Sequence, residues 1–152
     1  MLGKIFIISI SILIVCIGSK AGEAKYEDLI SLSKSSLDLS LPDDAGYFAL
    51  RCSALSAAQF RVLGSDPQSR QVVKELHERF FTMSVRSYLE KDNKNEQALL
   101  NQLASKVLTY TNLYSDIIET TFQDSGEYFD GNPLIEEDTL ACSSAAQQIL
   151  DK

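Results

Sequence analysis

Between residues 95 and 122 the side chains Leu100, Leu103, Val107, Tyr110, Tyr114, Ile117 and Thr121 recur at alternating spacings of three and four. That period sets them along one face of an α-helix, and a strand would need a period of two. The spacing predicts a long amphipathic helix that must bury this stripe against neighbours. Asn93, with Glu96 three residues on, is a capping-box-like pair that would start it.

Three further segments carry the same signature. Over 67–90, Val73, Leu76, Phe80 and Met83 form a stripe that Phe81, Val85 and Tyr88 widen. Asp66 is placed to cap this helix and Pro67 to occupy its first turn, where a missing N–H costs nothing. Over 42–63, Phe48, Cys52, Leu55 and Val62 share a face. Pro42, Asp43 and Asp44 suit the helix start, and Gly64 suits its end. Ala49, Ser53, Ala54, Ser56, Ala57 and Ala58 make the remaining surface small, so neighbours can approach from several sides, and this helix is expected at the centre. Over 133–150, Ile135, Cys142 and Ile149 recur every seven residues behind an Asn132 cap and Pro133. Residues 25–36 read as a shorter helix (Tyr26, Leu29, Ile30, Ser33), and Leu37, Leu39 and Leu41 as an extended connector over the bundle. Short connections favour antiparallel neighbours. The expected architecture is all-α: an up-down-up-down four-helix bundle with a short extra N-terminal helix.

The chain begins with a different kind of segment. Lys4 precedes an apolar run over 5–17 broken only by Ser9 and Ser11, and small residues follow at Gly18, Ser19, Ala21, Gly22 and Ala24. This is the order of a secretory signal peptide, cleaved after Ala21 or Ala24. A run this short argues against a membrane anchor, since spanning takes about 20 apolar residues. Lipid attachment at Cys16 is disfavoured by the bulky Ile14 and Val15 before it. The signal peptide covers 1–24 and a single helical domain 25–152. The expected location is periplasmic or secreted, with membrane contact only through the signal peptide before cleavage.

Cleavage removes Cys16 and leaves Cys52 and Cys142. In an exported chain such a pair is most simply a disulfide, two unrelated buried thiols being the alternative. In the up-down topology Cys52 lies about 18 Å below the upper end of the first helix, and Cys142 about 14 Å below the same end of the last, at 1.5 Å per residue. The heights agree within a turn. Arg51 adjoins Cys52 and Asp138 lies one turn before Cys142, so an Arg51–Asp138 ion pair beside the disulfide is expected.

Catalytic templates fail for want of parts. His77 is the only histidine, which excludes multi-histidine zinc sites, and position 74, where the di-iron Glu-x-x-His motif needs Glu, is Lys. No Cys-x-x-Cys-His, Gly-x-Ser-x-Gly or phosphate-binding glycine loop occurs. Aligning Gly131 with the sixth position of an EF-hand loop puts Gly126 and Tyr128 where carboxylates are required. No metal and no cofactor is expected. Formal net charge is −7 with basic residues scattered along the chain, so nucleic acid is not an expected partner. Tyr110 and Tyr114 are candidates to line a pocket between helices, or core residues with their hydroxyls at its edge.

The segments Tyr47-Phe48-Ala49-Leu50-Arg51-Cys52 and Asn132-Pro133-Leu134-Ile135-Glu136-Glu137-Asp138-Thr139-Leu140-Ala141-Cys142 resemble small exported helical proteins from marine bacteria and their phages. Those carry Leu-Arg-Cys early and Pro-Leu-Ile-x-x-Asp-x-x-x-Cys late. The resemblance implies export, a helical fold and pairing of Cys52 with Cys142, and it carries no activity. Export, a compact stapled fold and missing catalytic motifs favour a non-enzymatic binding protein that engages another envelope protein or a small molecule. A small hydrolase-type enzyme with a carboxylate or Ser site between helices is one alternative. A virion or phage-exclusion component is the other.

Overall fold

The computed structural model describes residues 29–64, 66–91 and 95–150. The signal-peptide reading over 1–24 therefore lies outside the described residues. Regular structure among the described residues is all α-helical: α1 (Pro42–Val62), α2 (Pro67–Lys91), α3 (Glu96–Ser125) and α4 (Pro133–Leu150). Each begins and ends close to where periodicity and capping residues put it. Asp66 accepts from the N–H groups of Gln68 and Ser69 at 3.3 and 3.2 Å, and Asn132 accepts from those of Leu134 and Ile135 at 3.1 and 3.4 Å. Both thus satisfy donors that a helix start leaves unpaired. At the start of α3 the cap is Asn95, whose Oδ1 accepts from Ala98. Gly126 ends α3 in the left-handed region at φ 80°, a conformation that costs most residues with a side chain.

α1 is the central element. It is buried without interruption from Ala49 to Ser56, so it is enclosed on all sides. It packs most extensively on α2, then on α3, and also touches α4, whereas α2 and α3 meet each other little. Small side chains on α1 allow this closeness. Where α1 crosses α2, the Ser84 hydroxyl donates to the Gly46 carbonyl at 2.8 Å, and a Cβ on Gly46 would lie 2.8 Å from the Tyr88 ring. Ser84 and Val85 are accordingly the buried residues of this turn, and Met83 is 38% exposed. This corrects the α2 stripe, which placed Met83 inside: the close crossing selects the small serine. On α3 the buried residues are Leu99, Leu103, Val107, Thr111, Tyr114, Ser115, Ile117, Ile118 and Thr121, leaving Leu100 and Tyr110 half-buried.

Ahead of α1 the described residues 29–36 contain a single turn where a short helix was expected. The amides of Lys34 and Ser35 both bond to the Ser31 carbonyl. The reason lies in competing partners. The Leu32 N–H goes to Asp138, and the hydroxyls of Ser31, Ser33 and Ser35 go to Glu137 and the Leu32 carbonyl. Serines that find such partners draw the backbone away from helix. In the connector Leu37 packs on the core, while Leu39 and Leu41 are each 53% exposed.

Candidate functional site

Cys52 on α1 and Cys142 on α4 form a disulfide with a Cα–Cα distance of 5.4 Å. Their neighbours in the helix repeat meet beside it. Arg51 Nη2 lies 2.5 Å from Asp138 Oδ2, and both side chains are completely buried. Arg51 Nε donates to the Tyr114 hydroxyl at 2.6 Å, and Nη1 donates to the Tyr47 hydroxyl at 2.8 Å and to the Ile30 carbonyl at 3.4 Å. Tyr114 in turn donates to Asp138 Oδ2. The other carboxylate oxygen, Oδ1, accepts the Leu32 N–H at 2.6 Å. The guanidinium carbon stands 5.3 to 5.7 Å from the ring centroids of Tyr47, Tyr110 and Tyr114.

This cluster satisfies its own polar groups; among the described residues no buried side-chain nitrogen or oxygen lacks a partner. Burial works against the Arg51 charge, but Tyr114, Asp138 and Tyr47 outweigh it and hold the guanidinium more firmly protonated than usual. Burial likewise pushes the Tyr114 hydroxyl well above its ordinary range, so it stays a donor. The chemistry available here is structural. The cluster ties α1, α3, α4 and the 30–32 backbone into one unit, and all its donors and acceptors point at one another.

Glu137, next to Asp138, holds the same segment from outside. It takes Lys34 Nζ at 2.7 Å, the Ser33 hydroxyl at 2.9 Å and the Ser31 hydroxyl. Lys34, Ser31 and Ser33 bring its carboxyl down to about 2. Two consecutive carboxylates thus clasp residues 31–34 to α4, one by a buried backbone bond and one by side chains.

A separate concavity lies away from this cluster. A cleft of about 690 Å³ opens between α2 and α3 and has α1 as its floor. That size falls within the range of about 300–1,000 Å³ typical of small-molecule sites. Ala57, Phe60 and Arg61 come from α1, Lys74, His77, Glu78 and Phe81 from α2, and Ala104, Val107, Leu108 and Thr111 from α3. Its origin is in the packing. α2 and α3 each lean on the small-residue helix α1 and diverge from one another, which leaves side-by-side apolar pairs with two tasks. Phe80 is buried while its neighbour Phe81 lines the cleft, and the buried Val107 and its exposed neighbour Leu108 both line it. Tyr110 and Tyr114, one turn further along α3, belong to the Arg51 cluster instead.

His77 is fixed at the cleft wall by Ser53. Its Nδ1 is 3.0 Å from the Ser53 carbonyl and 2.9 Å from Ser53 Oγ. A carbonyl oxygen only accepts, so Nδ1 carries the proton in the neutral ring and Nε2 is left as acceptor. The Ser53 hydroxyl donates to the His77 carbonyl at 3.1 Å and is wholly buried. A serine nucleophile needs the reverse, a hydroxyl that gives its proton to imidazole and faces the substrate. The pair therefore orients a ring and does not activate an oxygen.

The sequence placed Phe81 in the widened α2 stripe and singled out neither Phe60 nor Leu108. The signal available was the doubling of large apolar residues at Phe80-Phe81 and Val107-Leu108, which exceeds what one buried stripe requires. Among the described residues no helix is long and apolar enough to cross a membrane. No protein-family model, curated protein or solved structure matches this chain.

Proposed function

We propose that this protein is an exported, non-enzymatic binding protein whose ligand site is the cleft between α1, α2 and α3. The observation that carries this reading is the cleft itself: an open, mostly apolar concavity built on a rigid, disulfide-stapled scaffold. Sites of this kind bind by burying ligand surface against apolar walls, with a few polar groups setting orientation. The polar groups here are Arg61, Lys74, His77, Glu78 and Thr111. Their arrangement provides charge and hydrogen bonds at the rim and no activated nucleophile.

Export is supported by the signal-peptide pattern of residues 1–24 and fits the disulfide, since such bridges persist in oxidising compartments. The same reading takes the helices as an up-down-up-down bundle. In its favour, the contacts of α1 with α2 run in opposite order: Gly46 meets Tyr88, Ser53 meets His77, and Phe60 meets Arg70.

Thermal denaturation of the disulfide-bonded protein across a panel of small metabolites tests the proposal, alongside the variant Ala104→Trp. Ala104 is exposed at the cleft wall, so the indole fills the cleft without disturbing the core. The expected result is a ligand-dependent rise in melting temperature that Ala104→Trp abolishes. No rise with any compound, together with no partner recovered from a periplasmic extract, would refute it.

A further inference from the structure

We propose that the ligand of the cleft is a long-chain monocarboxylate, its hydrocarbon chain lying between α2 and α3 and its carboxylate meeting Arg61; this rests on the cleft being the binding site. The size of the cleft suits a small molecule. A polymethylene chain is only about 4–5 Å across at carbon contact distances, so a dozen carbons take up a fraction of the 690 Å³. The walls suit it. Phe60, Phe81, Val107 and Leu108 present carbon, and Leu108 is 56% exposed, an apolar surface that an acyl chain would cover.

Charge selects the head group. Among the described residues three charged side chains line the cleft: Arg61, Lys74 and Glu78. Lys74 Nζ lies 3.9 Å from Glu78 Oε1 one helical turn away, so these two largely compensate one another. Among the described residues Arg61 bonds only neutral acceptors, Asn112 Oδ1 at 3.1 Å and Ser115 Oγ at 3.2 Å, both from Nη1. Its charge is left over, and Arg70, stacked 4.2 Å from the Phe60 ring at the same end, adds a second cation. In a chain of net charge −7 this end of the cleft is a local positive site. One uncompensated guanidinium in the lining matches one carboxylate, to which its planar donors can bond in pairs.

Isothermal titration calorimetry of the disulfide-bonded protein with four twelve-carbon probes below their micellar concentrations tests this: dodecanoate, dodecyl phosphate, dodecanol and dodecyltrimethylammonium. Dodecanoate is expected to bind most tightly, Arg61→Gln to weaken it about tenfold as befits a charge-assisted hydrogen bond, and Ala104→Trp to abolish it. Arg61 is exposed, so Arg61→Gln leaves folding intact, which its melting curve checks. Dodecanol or dodecyltrimethylammonium binding as tightly as dodecanoate, but still blocked by Ala104→Trp, would overturn the carboxylate assignment and leave the cleft as the site. Tighter binding of dodecyl phosphate would overturn it in favour of a phosphate head group. Failure of all four probes while another compound shows an Ala104→Trp-sensitive thermal shift would overturn the ligand class alone. Binding of dodecanoate that Ala104→Trp does not affect would overturn both proposals.

Discussion

Arg51 and Asp138 are joined at 2.5 Å with no solvent exposure, one residue before Cys52 and one helical turn before Cys142. A buried ion pair is weak evidence of stability in itself, because desolvating two charges offsets most of their attraction. Leaving one charge alone is a different matter. Arg51→Met strands Asp138 with only the Leu32 amide and Tyr114 as partners, and is expected to cost about 3–5 kcal/mol. The double variant Arg51→Met/Asp138→Leu should cost much less than the two single changes added together. Urea denaturation of the three variants checks this, and additive losses would show that the two side chains act independently.

The disulfide acts on the unfolded chain. It joins residues 90 apart in sequence, for which loop-closure entropy gives an upper figure of about 4–5 kcal/mol. Cys52→Ala/Cys142→Ala should therefore unfold at markedly lower urea concentration. The Arg51 cluster would still hold α1 to α4, so circular dichroism in the absence of denaturant should retain the helical signal.

Glu137 gives the clasp on residues 31–34 a signature in acid. Its carboxyl titrates near about 2 in the folded protein, chiefly through Lys34 and then Ser31 and Ser33, against about 4.3 in an unfolded chain. A lowered folded value means that the unfolded state takes up protons first as the pH falls. The contribution of Glu137 is complete above about pH 4.3 and is lost as the pH falls towards 2. Glu137→Gln should flatten the stability profile across that window, and denaturation midpoints at several pH values measure the difference. Equal slopes for the two proteins would remove Glu137 from the acid response.

Gly46 shows why a backbone contact escapes a pattern of side chains. Gly46→Ala adds helix propensity, worth about 1 kcal/mol, yet its Cβ would stand 2.8 Å from the half-buried Tyr88 ring. Overpacking of this kind typically costs about 1–3 kcal/mol. Gly46→Ala is therefore expected to lower the melting temperature alone and to raise it in a Tyr88→Ala background. The same sign in both backgrounds would show that the ring is not what limits this crossing.

The helices were legible in the sequence because their caps and stripes are local. Asp66, Pro67, Asn132 and Pro133 mark starts by chemistry that depends on the next three residues alone. The disulfide was legible because the signal-peptide pattern sets Cys16 apart and the helix rise gives the other two cysteines matching heights. Residues 29–36 were misread because helix propensity competes there with Glu137 and Asp138, more than a hundred residues away. The cap of α3 is Asn95 where Asn93 was expected for a lesser reason: Asp92, Asn93 and Asn95, within four residues, offer nearly equivalent starts. Met83 was placed inside because periodicity counts apolar residues, whereas the α1–α2 crossing is so close that serine fits there. The cleft was hidden for a related reason. It exists where α2 and α3 diverge, and divergence is a property of three helices packed together, with no residue pattern of its own.

An amide-resolved NMR titration of the disulfide-bonded protein with dodecanoate tests most directly whether the α1–α2–α3 cleft is a binding site. The predicted result is saturable shifts at Phe81, Ala104, Val107, Leu108 and Thr111, with Leu32 and Asp138 in the buried clasp unmoved. Saturable shifts confined to other surfaces, with these five amides unchanged, would contradict it.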